Sequence, residues 1–357
     1  MKLPPHRRCP APAVRVECGF AIVCCGEPRA GVAANRGISM SEGKSQVRVY
    51  KFPTPAPAHI AWIKERARNS GLTSVRFVGG ERFVCCDFNE KRMYLAEFAG
   101  SGVRILDEIR TMIADGTPVQ TDLLDFNGED MLAVSNFYQG TQSYFRIKGD
   151  SLSFVEEQKP NGFHHCHGVR FVPGHPDLMW VSYCGPMNKA VVILDWRKKE
   201  VLHTLPFDEQ PQDAAFIGDY ALVPARTNHI TRDGNYPGPI YVTMYLLRLP
   251  VNLRTALPDL IDIWRGPGHL DAMKEFGDVA YAANQYTDAV DVFGIDEQDK
   301  IQRLRSLRGF GMPHGVDIRA DGLLGVTNYQ DNTLRVVQLP AGAGDRRSPP
   351  AGAFASA

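Results

Sequence analysis

Short runs of alternating apolar and polar residues recur from about residue 45 to residue 340, separated by Gly, Pro, Asn and Asp. A period of two, cut repeatedly by turn residues, predicts strands rather than helices. The clearest runs are Asn332 to Leu339, Ala289 to Phe293 and Ala190 to Leu194, with further strands expected over Lys300 to Leu307 and Glu200 to Leu205. Ala61 to Asn69 is the clearest competing helical pattern.

The strands belong to a repeat. His167-Gly-Val-Arg-Phe and His314-Gly-Val-Asp-Ile open two similar segments, each followed by a turn and a second strand, Met179 to Tyr183 and Leu324 to Asn328. The unit can be placed six times, with first positions Thr73, Asp122, His167, Gln212, His269 and His314, spaced 49, 45, 45, 57 and 45 residues apart. The second strands end at Asp87, Asn136, Tyr183, Arg226, Asn284 and Asn328. A period in this range with short strands signals a propeller.

The expected architecture is therefore all-β, a six-bladed β-propeller of four-stranded antiparallel blades. The sixth unit lacks its last strand, and Ser45 to Phe52 alternates like an outer strand, so the N-terminal segment is expected to close the ring and remove an open edge. This places one domain over 45–340. Residues 1–44 read as a disordered extension or as sequence ahead of a start at Met40, and 341–357 as a disordered tail.

Composition narrows the function. Forty basic residues balance forty acidic ones, so no basic excess favours nucleic acid. No run of 18 apolar residues predicts a membrane span, and the Pro-rich N-terminus is a poor secretory signal, so a cytoplasmic location is expected. Eight cysteines without a CxxC pair suit neither a disulfide framework nor a zinc ribbon and read as buried thiols.

In an antiparallel blade the first strand starts, and the second ends, on the same face of the disk. Both aligned columns are thus expected to converge at one channel mouth. Polar residues there also suit a merely water-filled channel, but three imidazoles in one column suggest more, because neutral His is the commonest transition-metal ligand. His167, His269 and His314 are the candidate ligands for one divalent transition metal, with Zn, Fe and Mn as alternatives. Tyr183 and Asp122 are candidate bases, and Arg226 offers a planar fork for an anionic group. Asn136, Gln212, Asn284 and Asn328 complete the polar lining. His165 shares one side of its strand with His167, whereas Cys166 is expected in the blade packing. The long fourth interval places Thr227 to Pro239 on the same face as a lid or contact loop offering His229 and Tyr236.

The segment from Met312 through Val326 to Val336 resembles a repeat of the NHL and YVTN/lactonase-like propellers, and the unit from His167 resembles a second copy. Within that group the pattern is similar to peptidylglycine amidating lyase. That resemblance implies zinc held by inner-strand His residues, one from a Met-Pro-His motif as at His314, and a catalytic Tyr beside a Cys as at Tyr183-Cys184. Here, however, the His residues fall on units three, five and six rather than on alternate blades. Gluconolactonase-like propellers imply instead Ca²⁺ or Zn²⁺ held by Glu, Asn and Asp, which Asp122, Asn136, Asn284 and Asn328 would imitate.

The function expected from the sequence is a metal-dependent enzyme, hydrolase or lyase in type, acting on a small polar or anionic metabolite. The alternative is a noncatalytic platform binding a protein or peptide, for which Phe137, Tyr138, Tyr236, Tyr286 and Tyr329 supply aromatic surface.

Overall fold

The computed structural model describes residues 47–52, 71–110, 116–126, 128–160, 162–226 and 241–344. Six antiparallel sheets form a six-bladed β-propeller. Blade 1 comprises Leu72–Gly79, Arg82–Asp87, Arg92–Ala99 and Gly102–Arg110, and blade 2 Pro118–Phe126, Glu129–Asn136, Thr141–Lys148 and Ser151–Gln158. Blade 3 follows with Cys166–Val172, His175–Gly185, Asn188–Asp195 and Glu200–Pro206. In blade 4 the inner strand is split into Gln210–Pro211 and Ala215–Ile217, both paired with Tyr220–Arg226, before Tyr241–Arg248 and Asp259–Pro267. Pro211 has no N–H to continue the ladder, consistent with a break there. Blade 5 is Leu270–Phe276, Val279–Asn284, Ala289–Ile295 and Ile301–Arg308.

Blade 6 takes Pro313–Ile318, Leu323–Asn328 and Thr333–Gln338 from the end of the chain and Val47–Lys51 from its beginning. Tyr50 pairs with Leu334, is buried, and meets Phe98 at 4.9 Å between ring centres, so ring closure also packs blade 6 against blade 1. Residues 341–344, expected in the tail, form a turn on blade 5, where the Ala343 carbonyl accepts from Tyr281 Oη at 3.0 Å and Arg305 at 2.9 Å. The helical pattern over 61–69 and the loop over 227–239 lie outside the described residues. No helix among the described residues is long and apolar enough to cross a membrane. Cys85, Cys86, Cys166 and Cys184 are buried free thiols.

Inner strands are buried on both faces, as in Cys166–Val172, whereas outer strands such as Ser151–Gln158 are mostly exposed or half-buried. The polar residues of the inner strands must therefore find partners inside. One layer does so with charges. Arg76 Nη1 donates to Asp317 Oδ1 at 2.8 Å, and its Nη2 lies 3.5 Å from Asp122 Oδ1. Arg170 spans Asp213 through Nε at 3.1 Å and Nη2 at 3.3 Å, with Nη1 3.5 Å from the same Asp122 oxygen. The carboxylates also accept amides from the following blade: Asp317 from Phe77 at 2.6 Å, Asp122 from Phe171 at 2.8 Å and Asp213 from Met273 at 2.9 Å. Buried side chains thus link all six blades in series.

Two stability experiments follow. Arg170→Met leaves Asp122 and Asp213 without their shared cation, and breaking a buried pair on one side costs about 3–5 kcal/mol; urea unfolding should show a loss of that size, with part recovered by adding Asp213→Asn. Asp87 tests the repeat itself, because blades 2, 5 and 6 carry Asn at its position. Burial raises its pKa to about 6, against backbone amides of Glu90 and Asn89 that favour the anion, and its Oδ2 has no partner. The folded state therefore holds the proton more tightly than the unfolded chain, and ionisation lowers stability as pH rises from about 4 to about 6. Asp87→Asn should be more stable than wild type by about 2–3 kcal/mol above pH 6, by linkage, with the gap closing toward pH 4 in the same denaturation assay.

Candidate functional site

Five second strands end where the repeat put them and that of blade 3 runs two residues past Tyr183, and all six expected positions pair with an inner-strand residue: Leu72 with Asp87, Pro118 with Asn136, Cys166 with Tyr183, Gln210 with Arg226, Leu270 with Asn284 and Pro313 with Asn328. The next residue of each inner strand forms the uppermost ring: Thr73, Val119, His167, Pro211, Asp271 and His314. Three expected members, Thr73, His167 and His314, are in place. Asp122, Gln212 and His269 are displaced along the chain, because a register irregularity follows this point in blades 1, 2, 3, 5 and 6 and blade 4 is broken there. Equal spacing in sequence is then not equal height on the axis.

His167, Asp271 and His314 come together, with one ligating atom from each lying within 4.8 Å of the others. The two imidazoles stack with centroids 5.9 Å apart. His167 Nδ1 faces the Gln212 carbonyl at 3.0 Å and His314 Nδ1 faces the Thr73 carbonyl at 2.8 Å. A carbonyl only accepts, so each Nδ1 carries a proton, which leaves Nε2 as the ligating atom of the neutral ring. The His-Gly sequence permits this. A Cβ on Gly168 would lie 2.5 Å from the Gln212 carbonyl, and one on Gly315 2.6 Å from the Thr73 carbonyl. Glycine after the histidine lets the next blade's backbone come close enough to orient the ring.

Asp271, which the spacing argument missed, is the carboxylate of the site. Its Oδ1 lies 3.4 Å from His167 Nε2 and 3.2 Å from His269 Nε2, and its Oδ2 is buried without a partner. Burial pushes the His314 pKa down to about 4 against the attraction of Asp271, and burial likewise lowers His269. Burial also works to raise the Asp271 pKa, but the neighbouring His269, His314 and His167 outweigh it and hold the carboxyl well below its usual range. His167 Nε2 thus faces an ionised carboxylate at a distance that calls for a cation or proton between them.

His269 sits just ahead of its strand, outside the ligating trio, with Nε2 3.2 Å from Arg226 Nη1. Arg226 is oriented by Gln210 Oε1, which accepts from Nε at 2.9 Å and Nη2 at 2.7 Å. Asp122 lies in the deeper charged layer, paired with Arg76 and Arg170. Tyr183 is buried between blades 2 and 3, where Gln142 Nε2 donates to its Oη at 2.7 Å. Burial pushes its phenol well above the usual range, which removes it from the position of a channel base. Cys166 is in the same packing, as expected.

The asparagines brace turns. Asn284 Oδ1 accepts the amides of His269 and Tyr286, and Asn328 Oδ1 that of Gly311. Asn136 Nδ2 donates to Thr141 and Ser143, and Gln212 Nε2 to the Gln210 carbonyl. His229 and Tyr236 lie outside the described residues.

No protein-family model matches the chain, and no curated protein matches it. Among solved structures it resembles a protein from Lactobacillus plantarum, with 13% identity and a TM-score of 0.57 over 85% of this chain and 94% of that one. It also resembles virginiamycin B lyase from Staphylococcus aureus, with 9% identity and a TM-score of 0.53 over 83% and 100% of the two chains. A putative gluconolactonase matches with 11% identity and a TM-score of 0.54 over 82% and 92%. At these identities the likeness is one of fold, a six-bladed propeller with lactonase-like and lyase neighbours.

The orienting glycines give a direct test. Gly315→Ala pushes the Thr73 carbonyl away from His314 and, as overpacking of a tight contact, should cost about 1–3 kcal/mol; thermal unfolding reads the loss, and an unchanged midpoint would show that the two blades have room to spare.

Proposed function

We propose that the protein is a metal-dependent enzyme, hydrolase or lyase in type, acting on a small polar or anionic molecule at the mouth of the channel. The observation that carries this reading is the meeting of lone pairs: two imidazole Nε2 atoms and an ionised Asp271, with an orphan buried oxygen. Such a set is costly while empty of positive charge, because a buried anion without a cation is strongly disfavoured. Two neutral His and one carboxylate suit a divalent transition metal, and Zn, Fe and Mn all accept such donors. His167, His314 and Asp271 would hold it, a change from the three-His set expected from spacing.

When bound, such an ion polarises a carbonyl or hydroxyl and makes bound water more acidic. The protein's own residues supply the remainder. The Gln212 and Thr73 carbonyls fix the ligand tautomers, as outer partners of metal-bound His generally do. Gln210 holds the Arg226 guanidinium beside His269, where its fork would orient an anionic substrate group. Asp122 and Tyr183 stay out of the reaction, the first neutralising arginines below the site and the second packing two blades.

Elemental analysis of protein prepared without a His tag should find about one equivalent of Zn, Fe or Mn. His167→Ala, His314→Ala and Asp271→Asn should each lose it, whereas His269→Ala should keep it. Metal lost from His269→Ala as well would favour the three-His set. No metal in the wild type, even after anaerobic reconstitution with each ion, would sink the proposal.

A further inference from the structure

In blades 1, 2, 3, 5 and 6 the residue after the one paired to the start of the inner strand occupies one equivalent backbone position. Its amide donates to the loop ahead of the blade's first strand or to that strand's lead-in: Phe88 to Gly71, Phe137 to Thr117, Cys184 to His165, Gln285 to His269 and Tyr329 to Met312, at 2.7–3.0 Å. The backbone being the same, the side chains there are free to differ, and they differ by side of the ring. Blades 6, 1 and 2 carry Tyr329, Phe88 and Phe137. Blades 3 and 5 carry Cys184 and Gln285, with Arg226 and His269 beside them.

The aromatic side reaches the ligating histidines. Tyr329 stacks on His314 at 5.4 Å, and Phe137 meets His167 edge-on at 6.0 Å. Phe137 also packs edge-on against Tyr138 at 5.1 Å and His165 at 5.0 Å, and Phe88 adjoins both Phe137 and Tyr138. This is not closed core, because Phe137 is only partly buried and Tyr138 is 45% exposed. His165 adds a cost that packing alone does not require. Its Nδ1 is buried without a partner, whereas its left-handed φ of 58° is shared by Met312 (47°) at the equivalent place in blade 6. Unmet hydrogen bonding of this kind gathers at ligand sites.

We infer that the substrate is amphipathic, with a planar apolar body lying on Phe137 and Tyr138 and an anionic group turned toward Arg226. The inference rests on the channel mouth being the substrate site. The reacting atoms of such a molecule would fall between these two anchors, over His167 and Asp271. Aromatic surface half open to solvent gains from covering by another flat apolar group, and edge contacts orient it.

The probes are phenylacetate and acetate, equal in charge and differing by the ring, titrated calorimetrically into the full chain whose metal content is measured on the same sample. Phenylacetate should bind at least about tenfold more tightly, the equivalent of burying part of one aromatic face. Phe137→Ala and Tyr138→Ser should each shrink that preference several-fold, and Arg226→Gln should weaken both anions together. Tyr138 is exposed, so its variant keeps the test valid if Phe137→Ala fails to fold. Equal affinities, no binding of either anion, or a preference surviving both aromatic variants would overturn the inference. Preference without any metal would sink the metal reading alone; full metal with no preference would sink this one alone.

Discussion

Two guanidinium groups in a place that water scarcely reaches hold the propeller in register. Arg76 and Arg170 are 4% and 2% exposed, and between them they touch carboxylates from blades 2, 4 and 6. Each carboxylate also accepts an amide of the next blade, so charge pairing and backbone hydrogen bonding are one connected network. Hydrophobic packing between blades is non-directional and would tolerate a small slide of one sheet over another. A bidentate guanidinium does not, because its donors are fixed in a plane. Inner-strand height is therefore set by the charged layer. The site above depends on that height, since His167 and His314 take their orientation from carbonyls of neighbouring blades rather than of their own.

The contrast between the two layers is electrostatic. In the lower one every aspartate has an arginine within 3.5 Å. In the upper one Asp271 has, among the described residues, only the imidazoles of His167 and His269 within ion-pair distance, and burial lowers the pKa of His269. A chain that satisfies buried carboxylates so fully a few ångströms below leaves this one short of positive charge. That mismatch, more than the count of histidines, is what supports the proposal of a binding centre over a braced channel.

Fold was legible because it rests on many weak signals that agree: alternation within strands, a near-constant repeat and an orphan strand at the start of the chain to match a missing one at the end. The site was legible in part. His167 and His314 stood out through His-Gly-Val, and the structure gives that motif its reason in the close approach of Gln212 and Thr73. Asp271 did not stand out. The aligned column took His269, two residues earlier, as the repeat equivalent, and nothing in spacing reveals a local register shift. Asp122 was drawn into the column by the same assumption. A visible hint was the alternation His269-Leu270-Asp271, in which Asp271 follows an apolar residue paired to the conserved rung of the repeat, as His167 follows Cys166 and His314 follows Pro313.

Repetition also explains where chemistry can arise in such a protein. At the second-strand end, Asn284 and Asn328 and the related Asp87 use a side-chain oxygen to brace a turn, and that is the default use of the position. Blade 4 places Arg226 there instead, and the guanidinium reaches inward to Gln210 and His269. Blade 5 places Asp271 where blades 1, 3 and 6 have Thr73, His167 and His314. Because the ladder is made by backbone groups, these exchanges leave it unchanged while altering what the axis presents. A fold held by backbone pairing and a charged layer can thus carry a different set of polar groups on each blade. The departures from the repeat, not the repeat itself, are where this chain concentrates its unmatched charge and its open aromatic surface.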